Sequence, residues 1–326
     1  MPVWLQITAA LSAAIISGVM GIALIPYLKK CRFCEPDPEA ELSEKKESDV
    51  IAGNKLKPTM CGILLIFGCI AGFVLSYTLY LHTSGTDRTS LEFQTESRSL
   101  RLILLQGLLF GIIGWVSDYV RTVRRKTDTG ETDFIIILAA FFTSYSFLKF
   151  LPEEPVLDFG FWKWEAGFLS VPVRAVLVTA FWLSMQRTER LADGICITVS
   201  SIQLLFLTVL CISAKQNLNA IYTLTAAGAC IGCFYWNLHP AKCRLGQTGT
   251  YWLGMTMPML CLNYHKINIL LLYIAVWIVN LLPLLFGRRT LLGLLRKDGN
   301  TPLQRILILT GFALFCCILS VMPEHT

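Results

Sequence analysis

The 326 residues are 54% hydrophobic and only 15% charged, with a mean hydropathy of +0.58. Soluble globular chains carry about 25% charged residues, and here the apolar residues come in long runs. A cytosolic globular enzyme, a secreted disulfide scaffold and a disordered protein are excluded, which leaves an all-α, polytopic helical membrane bundle. The net charge of +6, from 28 Lys+Arg against 22 Asp+Glu, reads first as a topology signal and not as nucleic-acid binding.

About 20 apolar residues cross about 30 Å of hydrocarbon. Ten stretches qualify: 3–28, 58–82, 101–116, 132–151, 172–187, 194–214, 217–238, 249–263, 267–287 and 303–322. The third, fifth and eighth are short for a span. The first is preceded by no basic residue and followed by Lys29 and Lys30. That is the reverse of a secretory signal, so a retained span with its N-terminus outside is expected. Lys and Arg concentrate in every second connection, at 29–57, 117–131, 187–193, 239–248 and 288–302. Those loops are placed in the cytosol and both termini outside. The whole chain, 1–326, is expected to form one transmembrane domain. Residues 29–57 are expected to be a mobile cytosolic loop, because acidic residues and prolines crowd 35–49. Residues 152–171, with Phe159, Phe161, Trp162 and Trp164, are expected at the outer interface or as a short hairpin there.

Twelve cysteines suggest metal or disulfide chemistry, but most fall inside spans, where Cys acts as a small apolar residue. The single C-x-x-C, Cys31 and Cys34, lacks a second pair nearby, so no zinc site and no disulfide is expected.

Polar residues interrupt the apolar pattern in five segments: KLKPTMCG (55–62), GWVSDYVRTVRRK (114–126), RTERLADG (187–194), NLHPAKCRLGQTGT (237–250) and RRTLLGLLRKDG (288–299). All lie at the inner ends of spans or in inner loops, so a bundle would gather them around one cleft. Ionisable residues at membrane depth mark function by default. Asp118 and Asp193 stand there with Arg121, Arg124, Arg190, Lys242 and Arg244. Gly246 and Gly249 permit backbone N–H groups to approach an anion. A phosphate-bearing ligand suits this set, with or without Mg²⁺ bridging it to a carboxylate. Equally, the arginines could be topological and Asp118 a partner for one of them.

NLHPAKCRLGQTGTYWLG (237–254) resembles the N-x-H-P-A-x-V-F-M-G-D-T-G-S-L-x-L-G signature of the phospho-N-acetylmuramoyl-pentapeptide transferase (MraY) family. KPTMCGI resembles its T-P-T-M-G-G-I, GIIGWVSDYVRTV its G-x-x-G-F-x-D-D-Y-x-K-V, and RLADGI its N-L-T-D-G-L-D-G. The matches run in family order across the chain. The resemblance implies a ten-helix bundle in the bacterial inner membrane with its site on the cytosolic face. It implies Mg²⁺-dependent transfer of a phospho-sugar from a UDP-sugar to undecaprenyl phosphate, in peptidoglycan precursor synthesis. Phosphoryl transfer rests on positioning and charge neutralisation. By the same resemblance Asp118 and Asp193 are the catalytic and metal candidates. Lys57, Thr59, Arg121, Arg190, Asn237, His239, Gln247 and Thr248 are the substrate or phosphate candidates.

The chain departs from the family where the chemistry should sit. The paired aspartates read Ser117–Asp118, the family lysine reads Arg121, and the asparagine reads Arg190. The second aspartate of its motif reads Cys196, the aspartate of M-G-D-T-G reads Gln247, and the late histidine run falls near Gly293–Leu295. Gln247 offers a neutral oxygen, Ser117 is a poor base, and Arg190 repels a metal while attracting a bare phosphate. No compensating carboxylate is apparent nearby. The expectation is therefore a divergent homologue with impaired or lost transfer that still binds a polyprenyl phosphate or a UDP-sugar. The alternatives are an active transferase, with Arg121 and Arg190 replacing part of the metal's charge, and a transporter, which the motifs do not support. Mg²⁺ belongs to the active alternative only. Membrane lipid is the expected partner, and a homodimer or a cell-envelope protein partner is compatible with the chain.

Overall fold

The computed structural model describes residues 2–36, 56–83, 89–124, 130–151, 156–159, 163–191, 193–264, 267–285, 291–297 and 299–321. In chain order the helices are α1 (Val3–Lys30), α2 (Gly62–Thr83), α3 (Leu91–Arg124), α4 (Gly130–Leu148), α5 (Ser170–Leu191), α6 (Ile195–Ser213), α7 (Asn217–Gly232), α8 (Phe234–Asn237), α9 (Gly246–Asn263), α10 (Ile267–Leu285), α11 (Leu291–Lys297) and α12 (Pro302–Val321). Two short antiparallel hairpins complete it: β1 (Cys34–Pro36) with β2 (Leu56–Pro58), and β3 (Val156–Asp158) with β4 (Lys163–Glu165).

The ten expected spans correspond to α1–α7, α9, α10 and α12. Among the described residues, six helical stretches are long and apolar enough to cross a membrane: Val3–Lys30, Gly62–Thr83, Leu91–Val123, Gly167–Arg190, Ile195–Ser213 and Pro302–Val321. The chain is a multi-pass helical membrane protein. The third stretch is not short. It has 34 helical residues, about 51 Å at 1.5 Å per residue, and its polar ends disguised it. The seventh stops at Gly232, and the single turn α8 follows.

The packing follows from residue size. The buried positions of α1 are Leu5, Ala9, Ala13, Ser17, Gly21, Ile25 and Leu28, nearly all at a four-residue repeat. Four consecutive members are small, so α2 and α7 approach closely. Ile7, Leu11, Ile15, Val19 and Ile22 face outward, as a lipid-facing surface requires. α9 is the opposite case. Every residue from Gln247 to Asn263 is buried, and α2, α3, α5 and α10 surround it. A helix enclosed by protein needs no apolar outer face, so its Gln, Thr and Gly residues are tolerated.

The two loop expectations meet a mixed result. The ends of 29–57 are tied together, with Cys34 opposite Pro58 and Glu35 opposite Lys57; residues 37–55 lie outside the described set. Within 152–171, β3 and β4 pair as a hairpin, with Phe159 and Trp164 packed on the core; Phe161 and Trp162 lie outside the described residues. The rejection of disulfides is corrected. Cys61, just before α2, is bonded to Cys243, just before α9, across 182 residues. Sequence distance hid a pair that the fold brings within 6.1 Å between Cα atoms.

Candidate functional site

Four of the five polar segments converge at one end of the bundle, and three of them line a small, partly open cavity. Its lining is Asp118, Arg121, Gln186, Glu189, Arg190, Arg244, Gly246, Gln247 and Thr250. Of the fifth segment, residues 291–297 and 299 are described; α11 packs on α10 and α12, its sequence neighbours, and none of these residues lines the cavity.

Asp118 sits on α3 and is 1% exposed. Its Oδ1 accepts from the Gln247 N–H (2.9 Å), and its Oδ2 from the Thr248 N–H (2.9 Å) and Thr248 Oγ1 (2.7 Å). These donors open α9, where N–H groups have no intrahelical partner and the helix dipole favours negative charge. Asp118 therefore caps α9 from a neighbouring helix. Two glycines make that approach possible. A side chain at Gly114 would strike the Gln247 carbonyl, and one at Gly246, which has φ +74°, would lie 2.6 Å from Asp118 Oδ2.

Asp193, between α5 and α6, is 6% exposed. Lys57 Nζ and Arg244 Nε each bind it at 2.9 Å. Arg244 Nη2 also donates to the Glu189 carbonyl (3.2 Å). The β2 strand carries Lys57, and three main-chain bonds hold this region against the start of α9: Arg244 N–H to Pro58 O (2.8 Å), Cys61 N–H to Arg244 O (3.0 Å) and Gly62 N–H to Leu245 O (2.9 Å).

The Gln247 amide, oriented to satisfy its surroundings, accepts at its oxygen from Arg121 and from Arg190 Nη2 (3.1 Å). It donates to Ser117 and to Tyr251 Oη (3.1 Å). Two guanidinium groups thus converge on a neutral oxygen where the family motif carries a carboxylate.

The remaining candidates have more structural surroundings. Asn237 is fully buried and donates to the Cys243 carbonyl (3.0 Å), shaping the turn into α9. Thr59 is fully buried beside Gly246. His239 is partly exposed, precedes a cis Pro240, and does not line the cavity. Lys242 turns away onto the Tyr235 ring (3.5 Å to its centre). Cys196 is buried, and its Sγ donates to the Met185 carbonyl (3.5 Å).

One functional candidate went unseen in the sequence. Glu189, on α5, is 4% exposed and lines the cavity, and neither carboxylate oxygen has a hydrogen-bond partner among the described residues. The expectation of no nearby compensating carboxylate is corrected. Its signal was a glutamate one residue before Arg190, in the polar QRTER end of a helix that is largely apolar before it, obscured because it matched no motif position.

The motif positions do not fit a Mg²⁺ ion. Both Asp118 oxygens face helix donors, Asp193 is held by two cations, and Gln247 brings no charge. Among the described residues no three His, Cys, Asp or Glu side chains gather closely enough to hold a metal. A carboxylate already compensated by cations would have to break those pairs before coordinating. The cavity suits an oxyanion, since guanidinium groups match phosphate oxygens in a fork geometry.

Fold and site define a helical membrane protein with an arginine-lined cavity at one end of the bundle. Comparison with known proteins places it further. The glycosyl transferase family 4 model matches residues 100–265, which contain Asp118, Asp193 and the start of α9, and the chain belongs to that family. It is similar to the phospho-N-acetylmuramoyl-pentapeptide-transferase of Heliobacterium modesticaldum, 26% identical over 269 residues, covering 79% of this chain and 74% of that one. The enzyme of the same name from Bacillus subtilis is 25% identical over 270 residues, covering 80% and 75%. That of Listeria monocytogenes is 24% identical over 286 residues, covering 84% and 80%. The chain is an MraY-like member of its family.

Proposed function

We propose that this chain is a phosphate-binding member of its family in which sugar-phosphate transfer is impaired or lost. One domain, 1–326, holds the phosphate headgroup of a polyprenyl phosphate at the cytosolic face of a bacterial inner membrane, in cell-envelope biology. The diphosphate of a UDP-sugar is the other ligand of this class. The observation carrying the reading is that the two retained motif aspartates are engaged by protein donors, while Arg121 and Arg190, which line the cavity, converge on the neutral oxygen of Gln247. Phosphate binding here needs no divalent cation, because the guanidinium groups supply the positive charge.

The test uses purified protein in detergent. Undecaprenyl phosphate is expected to bind equally with EDTA and with Mg²⁺, and at least tenfold more weakly to Arg190→Asn or Arg121→Ala. No release of UMP from UDP-N-acetylmuramoyl-pentapeptide is expected. Mg²⁺-dependent release abolished by Asp193→Ala would overturn the reading. A second reading, a working transferase with a rebuilt site, draws on Glu189, a buried carboxylate that the motif comparison did not contain. Its signature is UMP release that disappears in Glu189→Gln.

A further inference from the structure

Glu189 has no task in phosphate binding as argued so far. It is 4% exposed, its two oxygens lack hydrogen-bond partners among the described residues, and it faces the cavity that the arginines line. Its polar neighbours are the Cys196 thiol, which also reaches the Met185 carbonyl, the Leu245 N–H, and Arg244, whose charge offsets part of the burial while it binds Asp193 and the main-chain carbonyl of Glu189 itself. A carboxylate buried without donors is costly, and the cost is removed when a ligand brings them.

We propose that the cavity takes a phosphate carrying a cationic amine, with the guanidinium wall on the phosphate and Glu189 on the ammonium. The inference rests on the phosphate-binding reading and adds the ligand's second charge. An ammonium offers three N–H donors and a full charge, enough to occupy both oxygens through charge-assisted bonds. A hydroxyl supplies one donor and no charge. A divalent cation bridging Glu189 to the phosphate is the competing occupant, since Mg²⁺ can be held by one carboxylate with phosphate oxygens and waters; binding with and without Mg²⁺ separates the two. The class comprises aminoalkyl phosphates, which include a lipid headgroup, and amino-sugar phosphates.

Calorimetry on the full chain in detergent with EDTA tests this, using inorganic phosphate, glycerol phosphate, 2-aminoethyl phosphate, glucosamine 1-phosphate and N-acetylglucosamine 1-phosphate. At least one amine-bearing probe is expected to bind at least tenfold more tightly than glycerol phosphate. Acetylating the amine, or making Glu189→Gln, is expected to erase the preference while inorganic phosphate binds as well or better. The acetylation comparison needs no variant, so it stands even where Glu189→Gln fails to fold. Nanodiscs of phosphatidylethanolamine against phosphatidylglycerol, read by native mass spectrometry, separate the sources. Retention of phosphatidylethanolamine with preference for aminoethyl phosphate assigns a lipid headgroup, and preference for glucosamine 1-phosphate alone assigns a sugar phosphate. Equal binding of all probes overturns this inference and leaves phosphate binding standing. A preference surviving in Glu189→Gln, or a gain that appears only with Mg²⁺ and vanishes in that variant, overturns it too. Binding of none of the probes overturns both this inference and the reading beneath it.

Discussion

Replacing Asp118 with alanine separates a structural carboxylate from a chemical one. The side chain accepts three hydrogen bonds, from Gln247 N–H, Thr248 N–H and Thr248 Oγ1. Bonds to a charged group are worth about 1.5–3 kcal/mol each. They share one carboxylate, so they do not add in full, and water from the cavity can rehydrate part of the exposed helix start. The expected loss is about 3–5 kcal/mol, the range for removing one side of a buried charged interaction. At about 2 °C per kcal/mol for a chain of this length, the Tm in detergent should fall by about 6–10 °C. Asp118→Asn keeps one acceptor and should fall by about half as much. Ligand-free thermal unfolding, followed by intrinsic fluorescence, measures both. A carboxylate kept only for chemistry behaves in the opposite way, since its removal commonly leaves stability unchanged or raises it. A Tm for Asp118→Ala within about 1 °C of the parent would refute the capping argument, and with it the claim that this aspartate is unavailable to a metal.

Further outcomes are expected from the same structure. Arg244→Ala leaves the buried Asp193 with Lys57 and should lower Tm more than Lys57→Ala, because Arg244 also binds the Glu189 carbonyl; equal losses would argue against that double role. Gly246→Ala forces a side chain onto a φ of +74° and into Asp118 Oδ2, so it should cost at least about 1 kcal/mol and reduce the yield of folded protein, seen by size-exclusion chromatography. Thiol titration of the denatured, unreduced chain should count ten cysteines, and twelve after reduction, given the Cys61–Cys243 bond; peptide mapping without reductant should recover the crosslinked pair. The double variant Arg190→Asn with Gln247→Asp restores two motif residues and should make undecaprenyl phosphate binding sensitive to EDTA, and unchanged binding would count against guanidinium charge standing in for a metal.

Much of the fold was legible because a bilayer imposes a strict rule: a span must be long and apolar, and its backbone must bond to itself. That rule located α1, α2, α6 and α12 within a few residues. It served less well for α3, whose polar ends extend past the hydrocarbon, and for α9, which protein encloses on all sides and which therefore carries Gln247, Thr248 and Thr250. The retained motifs brought Asp118, Asp193, Arg121, Arg190 and Gln247 to attention. They could not show that Asp118 faces a helix start, since that contact joins residues 129 and 130 positions apart.

By itself the sequence determined the membrane, the helical class, the approximate spans and the set of polar segments, because hydrophobic run length and charge placement act locally along the chain. The tertiary structure decided what each polar group does. It turned Asp118 into a cap, paired Asp193 with two cations, joined Cys61 to Cys243, and left Glu189 open to the cavity. Burial, and the partner a charge finds across more than a hundred residues, exist only once the helices pack.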